Sequence, residues 1–271
     1  MDKIIIRGNN PLSGTINISG AKNAVLPVMA ATLLAPGKYT IHKVPDLRDT
    51  RTMMKLLNII GATTVYEDGS LIIDSSLANN PEAPYDLVKT MRASFYVLGP
   101  LISRFGRVNV SLPGGCAWGP RPVDYHLKGL EKLGAKLNLK GGNILAEAKE
   151  LIGSEIYFEF PSVGATGNIA MAAVKAKGVT KLYNCAKEPE IIQLCQFLNS
   201  MGAKIEGVGT ENLIIHGVNE LNPSDIEIIP DRIEAGTFLI AGALLGKLKI
   251  NDVIPEHLNK VINKLIDTGC K

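Results

Sequence analysis

Aromatic side chains make up only 5% of the 271 residues, with one tryptophan. The core must therefore be aliphatic and alanine-rich. A stacking platform for single-stranded nucleic acid is excluded, because no basic run is interleaved with aromatics. Charge of one sign is also scarce: 29 basic against 26 acidic residues leave +3. That excess is too small to mark a nucleic-acid surface, although local cations can still serve a small anionic substrate. No stretch of about 18 apolar residues suggests a membrane span. The N-terminal MDKIIIRGNN has a short apolar run and no small-residue cleavage site, unlike a signal peptide. Cysteine is sparse as well. Cys116, Cys185, Cys195 and Cys270 match no zinc spacing and make no disulfide framework, so a reducing, cytoplasmic setting is expected. Cys185 and Cys195 read as small buried hydrophobes.

What is present is repetition. Segments beginning at Leu56, Leu130, Leu198 and Ile262 resemble one another, and their glycines Gly61, Gly134, Gly202 and Gly269 fall about 70 residues apart. The first three read as a helix end, a glycine stop and two strands. A second set keeps the same register. Alanine-rich helices run through AKNAVLPVMAATLLA, MRASFYVLGPLIS, GATGNIAMAAVKA and IEAGTFLIAGALL, and a short strand follows each. The expected fold class is α/β, built from repeated β-α-β-α-β-β units of about 70 residues that must pack on one another. The fourth copy stops at Gly269-Cys270-Lys271, where earlier copies enter their strand pair. The chain thus reads as truncated at its C-terminus, with apolar surface left exposed there.

Chemistry concentrates in Ser111–His126, SLPGGCAWGPRPVDYH. Gly114, Gly115, Gly119, Pro120 and Pro122 rule out a regular element and predict a loop. It holds the thiol of Cys116 near Arg121, Asp124 and His126, and nearby positive charge suits a thiol to act as nucleophile or proton donor. The helix openings at Ser19–Asn23 and Ser162–Asn168 offer free N–H groups to anions. Serine there is ordinary capping. Lys22 at a helix start is not, and a bound phosphate would give it a partner. Lys89 and Arg92 are expected on one helical face, with Arg92 pointing into a cleft. If the repeats pack about an approximate threefold axis, Lys22, Arg92 and the Ser162 turn converge with Arg121 on a pocket for a phosphorylated ligand.

AKNAVLP at 21–27, PYDLVKTMRAS at 84–94, LPGGCAWGPRPVD at 112–124, FPSVGAT at 160–166, AKEPEI at 186–191 and PDRIEAGTF at 230–238 are the relevant motifs. Together they resemble the UDP-N-acetylglucosamine 1-carboxyvinyltransferase family of enolpyruvyl transferases, which begins bacterial peptidoglycan synthesis. The resemblance runs from Met1 to Lys271. It implies an inside-out α/β barrel in two domains of three repeats each, with the active site between them. Here that means one complete three-repeat domain over 22–229. The residues 1–21 and 230–271 would be an incomplete part of a second, discontinuous domain.

The implied reaction moves the enolpyruvyl group of phosphoenolpyruvate to the 3′-hydroxyl of UDP-N-acetylglucosamine. No metal, cofactor, nucleic acid or membrane is implied, and the oligomeric state is left open. By resemblance Cys116 is the proton donor, adduct former and fosfomycin target, and Lys22 is the second catalytic residue. Lys22, Asn23 and Arg121 match phosphoenolpyruvate-binding positions. Arg92, Arg121, Pro122, Val123, Asp124 and Tyr125, with Phe160, Pro161, Ser162, Val163 and Gly164, match the nucleotide contacts. Trp118 stands where a smaller aliphatic residue is usual, and Pro120 stiffens the turn before Arg121. The family's catalytic aspartate lies beyond residue 271, so the isolated chain is expected to bind nucleotide weakly without turnover. The alternative is a non-catalytic nucleotide-binding remnant of that enzyme.

Overall fold

The computed structural model describes residues 3–8, 10–89, 91–112 and 123–270. The β-α-β-α-β-β unit is traversed three times and a fourth is entered. The first copy is β1 (Leu12–Asn17), α1 (Lys22–Ala31), β2 (Lys38–His42), α2 (Arg48–Ile60), β3 (Thr63–Glu67) and β4 (Ser70–Asp74). The second is β5 (Glu82–Ala83), a short α3 (Tyr85–Val88), α4 (Leu98–Phe105), β6 (Arg107–Ser111), α5 (Asp124–Lys132), β7 (Lys136–Lys140) and β8 (Asn143–Glu147). The third is β9 (Glu155–Tyr157), α6 (Val163–Ala173), β10 (Val179–Tyr183), α7 (Pro189–Ser200), β11 (Lys204–Glu206) and β12 (Asn212–His216). Then come β13 (Ile226–Glu227), α8 (Arg232–Leu245), β14 (Gly246–Asn251) and α9 (Asn259–Asp267).

The repeated glycines have a backbone cause. Gly61, Gly134, Gly202 and Gly269 all sit at φ between 94° and 105°, where a side chain is disfavoured. Gly61 ends α2 there, its N–H bonding to the carbonyls of Asn58 and Leu57. In α2 itself Met53, Leu56, Leu57 and Ile60 are buried, an i, i+3, i+4, i+7 stripe. The alanine-rich helices behave differently. Every residue from Ala24 to Ala31 of α1 and from Ala165 to Ala173 of α6 is buried. Helices apolar on all sides belong in the middle of a core.

Contacts divide the chain into two units, residues 22–228 and residues 1–21 with 229–271. In the larger unit α1, α4 and α6 are the buried centre. α4 and the 3-10 turn before it (Arg92–Val97) pack on α6, and that turn also packs on α1. Among the described residues this unit has three four-stranded sheets of matching order, β13-β2-β4-β3, β5-β6-β8-β7 and β9-β10-β12-β11. In each, the first two strands are parallel and the rest antiparallel. Helices inside and sheets outside make the inside-out α/β architecture.

One strand is exchanged. The first place in the first repeat's sheet is filled by β13, with Ile226 opposite Ile41. β1, the strand sequence order would put there, instead pairs parallel with β14 in the smaller unit, from Leu12 opposite Gly246 to Asn17 opposite Asn251.

Close packing of the central helices depends on Gly99 in α4. A Cβ there would lie 2.2 Å from the Asn168 carbonyl oxygen. Arg104, at the other end of α4, donates to the carbonyls of Leu33 (3.0 Å) and Ser75 (3.1 Å). Leu33 lies in the turn that follows α1 and Ser75 just after β4, so Arg104 ties both to α4.

The smaller unit is thinly packed. Its buried residues Ile18, Ala235 and Leu258 are joined by half-buried Ile16, Phe238, Ile250, Val253 and Ile262. α9 buries no residue. An apolar groove of about 570 Å³ runs between α8, β14 and α9, and Leu244 is 75% exposed. Among the described residues, no helix is long and apolar enough to cross a membrane.

Candidate active site

β6 enters the cysteine loop with the Ser111 hydroxyl bonded to Asn143 (2.6 Å) and the Leu112 N–H to the Gly142 carbonyl (2.8 Å). The chain is described again at Val123, whose carbonyl accepts from the N–H groups of His126 and Leu127 as α5 begins. Cys116, Trp118, Pro120, Arg121 and Pro122, singled out in the sequence, lie outside the described residues.

The first turn of α5 carries Asp124, Tyr125 and His126. Asp124 Oδ2 is 3.6 Å from Lys128, and Oδ1 is buried with no hydrogen-bond partner among the described residues. The Tyr125 hydroxyl donates to Glu159 (3.3 Å), and its ring meets the Phe158 ring edge-on. Burial, with the Glu159 charge second, raises the Tyr125 pKa. His126 is 8% exposed and packs edge-on against Phe95 at 4.9 Å. Burial pushes its pKa down to about 3, the positive charge of Arg92 adds to the shift, and Asp124 opposes it.

Those influences locate the groups. Arg92, which opens the 3-10 turn before α4, and Asp124, on α5, both act on the His126 ring. The same ring faces the first turn of α6, because a Cβ on Gly164 would lie 3.1 Å from its Nε2. Three candidate stretches thus meet around one imidazole. Ser162 caps α6, its hydroxyl accepting from the Ala165 N–H (3.3 Å). Val163 and Gly164 are half-buried, while Phe160 (70% exposed) and Pro161 face solvent. Asn184, at φ 56° after β10, donates to the Phe158 and Glu159 carbonyls and steadies the approach to α6.

Lys22 opens α1 and pairs with Asp49 of α2 at 3.2 Å. A protein carboxylate therefore supplies a partner for this lysine where the sequence suggested a bound phosphate. Asn23 beside it is exposed. The expectation of Lys89 and Arg92 on one helical face does not hold. α3 ends at Val88 and Met91 is extended at φ −146°, so the two lie on different elements. Lys89 instead turns back to Asp86 (2.6 Å) and over the Tyr85 ring.

Asp49 and Asn168 were not singled out as site residues from sequence, and His126 was noted beside the cysteine loop without a role. Asn168 is fully buried in α6 and bridges a break in the next helix. Its Oδ1 accepts from the Gly99 N–H (2.6 Å) and its Nδ2 donates to the Phe95 carbonyl (2.9 Å) and to His126 Nδ1 (3.0 Å). An asparagine in the alanine-rich run of α6 was the available signal. Burial raises the thiols of Cys185 and Cys195 to about 12, which leaves them unreactive.

Buried central helices, outer sheets and a polar cluster at the helix openings define an α/β protein built from packed repeats. Residues 6–271 match the family described as EPSP synthase (3-phosphoshikimate 1-carboxyvinyltransferase), and the chain belongs to that family. It is 54% identical over 275 residues to the UDP-N-acetylglucosamine 1-carboxyvinyltransferase of Chloroherpeton thalassium, covering 100% of this chain and 64% of that protein. The enzyme of the same name from Trichlorobacter lovleyi is 53% identical, with 99% and 65% covered. The chain therefore spans somewhat under two thirds of the length of these curated relatives. Among solved structures, the enolpyruvyl transferase NikO from Streptomyces tendae superposes with a TM-score of 0.80 at 27% identity, covering 90% of this chain and 59% of that one. EPSP synthase from Acinetobacter baumannii gives 0.77 at 19% identity, with 98% and 61% covered, a likeness of fold.

Proposed function

We propose that the protein represented by these residues transfers the enolpyruvyl group of phosphoenolpyruvate to the 3′-hydroxyl of UDP-N-acetylglucosamine in the cytoplasm. The observation that carries this reading is the meeting of Arg92, Asp124 and the Gly164 turn around His126. It flanks the segment that holds Cys116 and Arg121, in a chain 54% identical to an enzyme of that name.

In the proposed chemistry Cys116 gives a proton to the methylene carbon of phosphoenolpyruvate. The sugar hydroxyl oxygen then bonds to the adjacent carbon while a base takes its proton, giving a tetrahedral ketal. Loss of a methyl proton and cleavage of the carbon–oxygen bond to phosphate release the enolpyruvyl ether and inorganic phosphate. Lys22 and Arg121 hold the phosphate as its charge changes. The nucleotide lies along Arg92, Pro122–Tyr125 and Phe160–Gly164. The domains proposed from sequence, 22–229 and 1–21 with 230–271, serve this reading as one complete repeat triplet and part of a second.

The resemblance assigns the base to a part of the relatives that these 271 residues do not span. Residues 1–271 alone are expected to bind nucleotide and alkylate without turnover. The test is mass spectrometry after fosfomycin, with and without UDP-N-acetylglucosamine. A nucleotide-dependent adduct on Cys116 is expected, with Cys185 and Cys195 untouched. Equal labelling of Cys116 and Cys270 regardless of nucleotide would overturn the reading. Phosphate release by the purified chain, free of host enzyme, would overturn the expectation of no turnover.

A further inference from the structure

A cavity of about 920 Å³ opens where α4 and α6 end, away from Arg92 and Ser162, which stand at their openings. α4 contributes Ser103 and Arg104 to its wall. Arg107 and Lys136 come from the starts of β6 and β7, Lys149 from the turn after β8, and Lys175 from the chain beyond α6. Five cations thus face two carboxylates, Glu147 and Glu150. Glu150 is taken by Lys177 at 3.9 Å, and Glu147 stands between Arg107 and Lys136 in the strand register. Among the described residues, Arg107, Lys136, Lys149 and Lys175 make no ion pair, and Lys175 is half-buried. Cations are ordinary at helix C-termini, which accounts for Arg104 and Lys175. It does not account for Arg107, Lys136 and Lys149, which come from strands and a turn. Like charges gathered around one concavity raise its potential and attract anions. The wall carries a second signal. The Ser103 hydroxyl oxygen is buried and has no hydrogen-bond partner among the described residues, although a helical serine can bond the carbonyl four residues back. Buried polar atoms without a partner are rare in folded proteins.

We propose that this cavity is a second anion site, which takes a small molecule carrying two or more linked phosphate groups. Lys136, Lys149 and Lys175 hold the phosphates, their ammonium groups closing on the charge from three separate elements. The Ser103 hydroxyl is a further donor from the wall. Several linked phosphates fit better than one, because the cations are spread over several elements and the volume is that of a pocket for a whole small molecule. The site shares no residue with the proposed transfer reaction and stands or falls separately from it. The length of α6, about 16 Å, separates it from the Ser162 turn.

The probe is inorganic tripolyphosphate, titrated into the full chain at low ionic strength and followed by calorimetry and by amide resonances of ¹⁵N-labelled chain. The amides of Gly106, Lys149 and Lys175 are expected to shift. The variant Lys136→Ala/Lys149→Ala/Lys175→Ala should bind about tenfold more weakly or worse, as loss of several charge-assisted contacts does. Lys136→Arg/Lys149→Arg/Lys175→Arg, which keeps the charge, should stay within about threefold of the parent. None of the three lysines is fully buried, so the fold is expected to survive both variants, with thermal melts as the check. Orthophosphate should bind at least about tenfold more weakly than tripolyphosphate. Absence of tripolyphosphate binding overturns the inference, as does unchanged affinity in the triple alanine variant. Shifts confined to the amides of Asn23 and Gly164, or equal affinity for orthophosphate, overturn it too. All four outcomes leave the transfer reading standing.

Discussion

Asn168 and His126 show how much one buried polar pair decides. The Asn168 amide occupies the gap between the Gly99 N–H and the Phe95 carbonyl, a pair that would bond directly in an unbroken α-helix. Asn168→Ala leaves both groups and His126 Nδ1 without partners. It should lower stability by about 3 kcal/mol, read from the urea midpoint. His126 adds a pH signature. Its ring titrates at about 3 in the fold against 6.5 in the open chain, through burial first and Arg92 second, with Asp124 opposing. Below pH 6.5 the unfolded chain takes up the proton and the fold does not. Stability therefore falls with pH, by up to about 1.4 kcal/mol per unit between pH 6.5 and 3, and is flat above that window. His126→Phe should remove this component, so denaturation midpoints of parent and variant measured from pH 7 down to 5 should converge as pH falls.

At the scale of elements, two glycines make opposite predictions. Gly202 closes α7 at φ 105°, and a side chain there is strained whatever the space. Gly202→Ala should cost about 1–2 kcal/mol. Gly236 lies inside α8, where a Cβ would meet Leu258 Cδ2 at an ordinary 3.6 Å. Gly236→Ala should stabilise the smaller unit by about 0.5–1 kcal/mol through helix propensity. Thermal melts of the two variants check both signs. The glycine markers were legible in the sequence because a left-handed backbone position admits few residue types. Lys43, Asn184 and Asp252 take similar positions, φ 54° to 56°, after β2, β10 and β14. They share no residue type, and that regularity was visible only in the fold.

At the scale of the molecule, the two units should differ in stability. The larger one buries α1 and α6 almost completely, while α9 buries nothing and the groove beside α8 is apolar. Hydrogen exchange followed by mass spectrometry should find the amides of α8 and α9 exchanging well before those of α1, α4 and α6. Equal protection would refute that ranking. The sequence by itself determined the α/β class, the repeat and the alanine-rich helices with their glycine markers, and it pointed to the stretches around Lys22, Arg92, Asp124 and Ser162. Each of these rests on local periodicity, backbone preference or motif. Only the tertiary structure decided that β13 takes the place beside β2, that Asp49 meets Lys22, and that Asn168 turns His126 Nε2 toward α6. Those are pairings between residues far apart in the chain, and no local pattern encodes which distant partner a side chain or strand edge will meet.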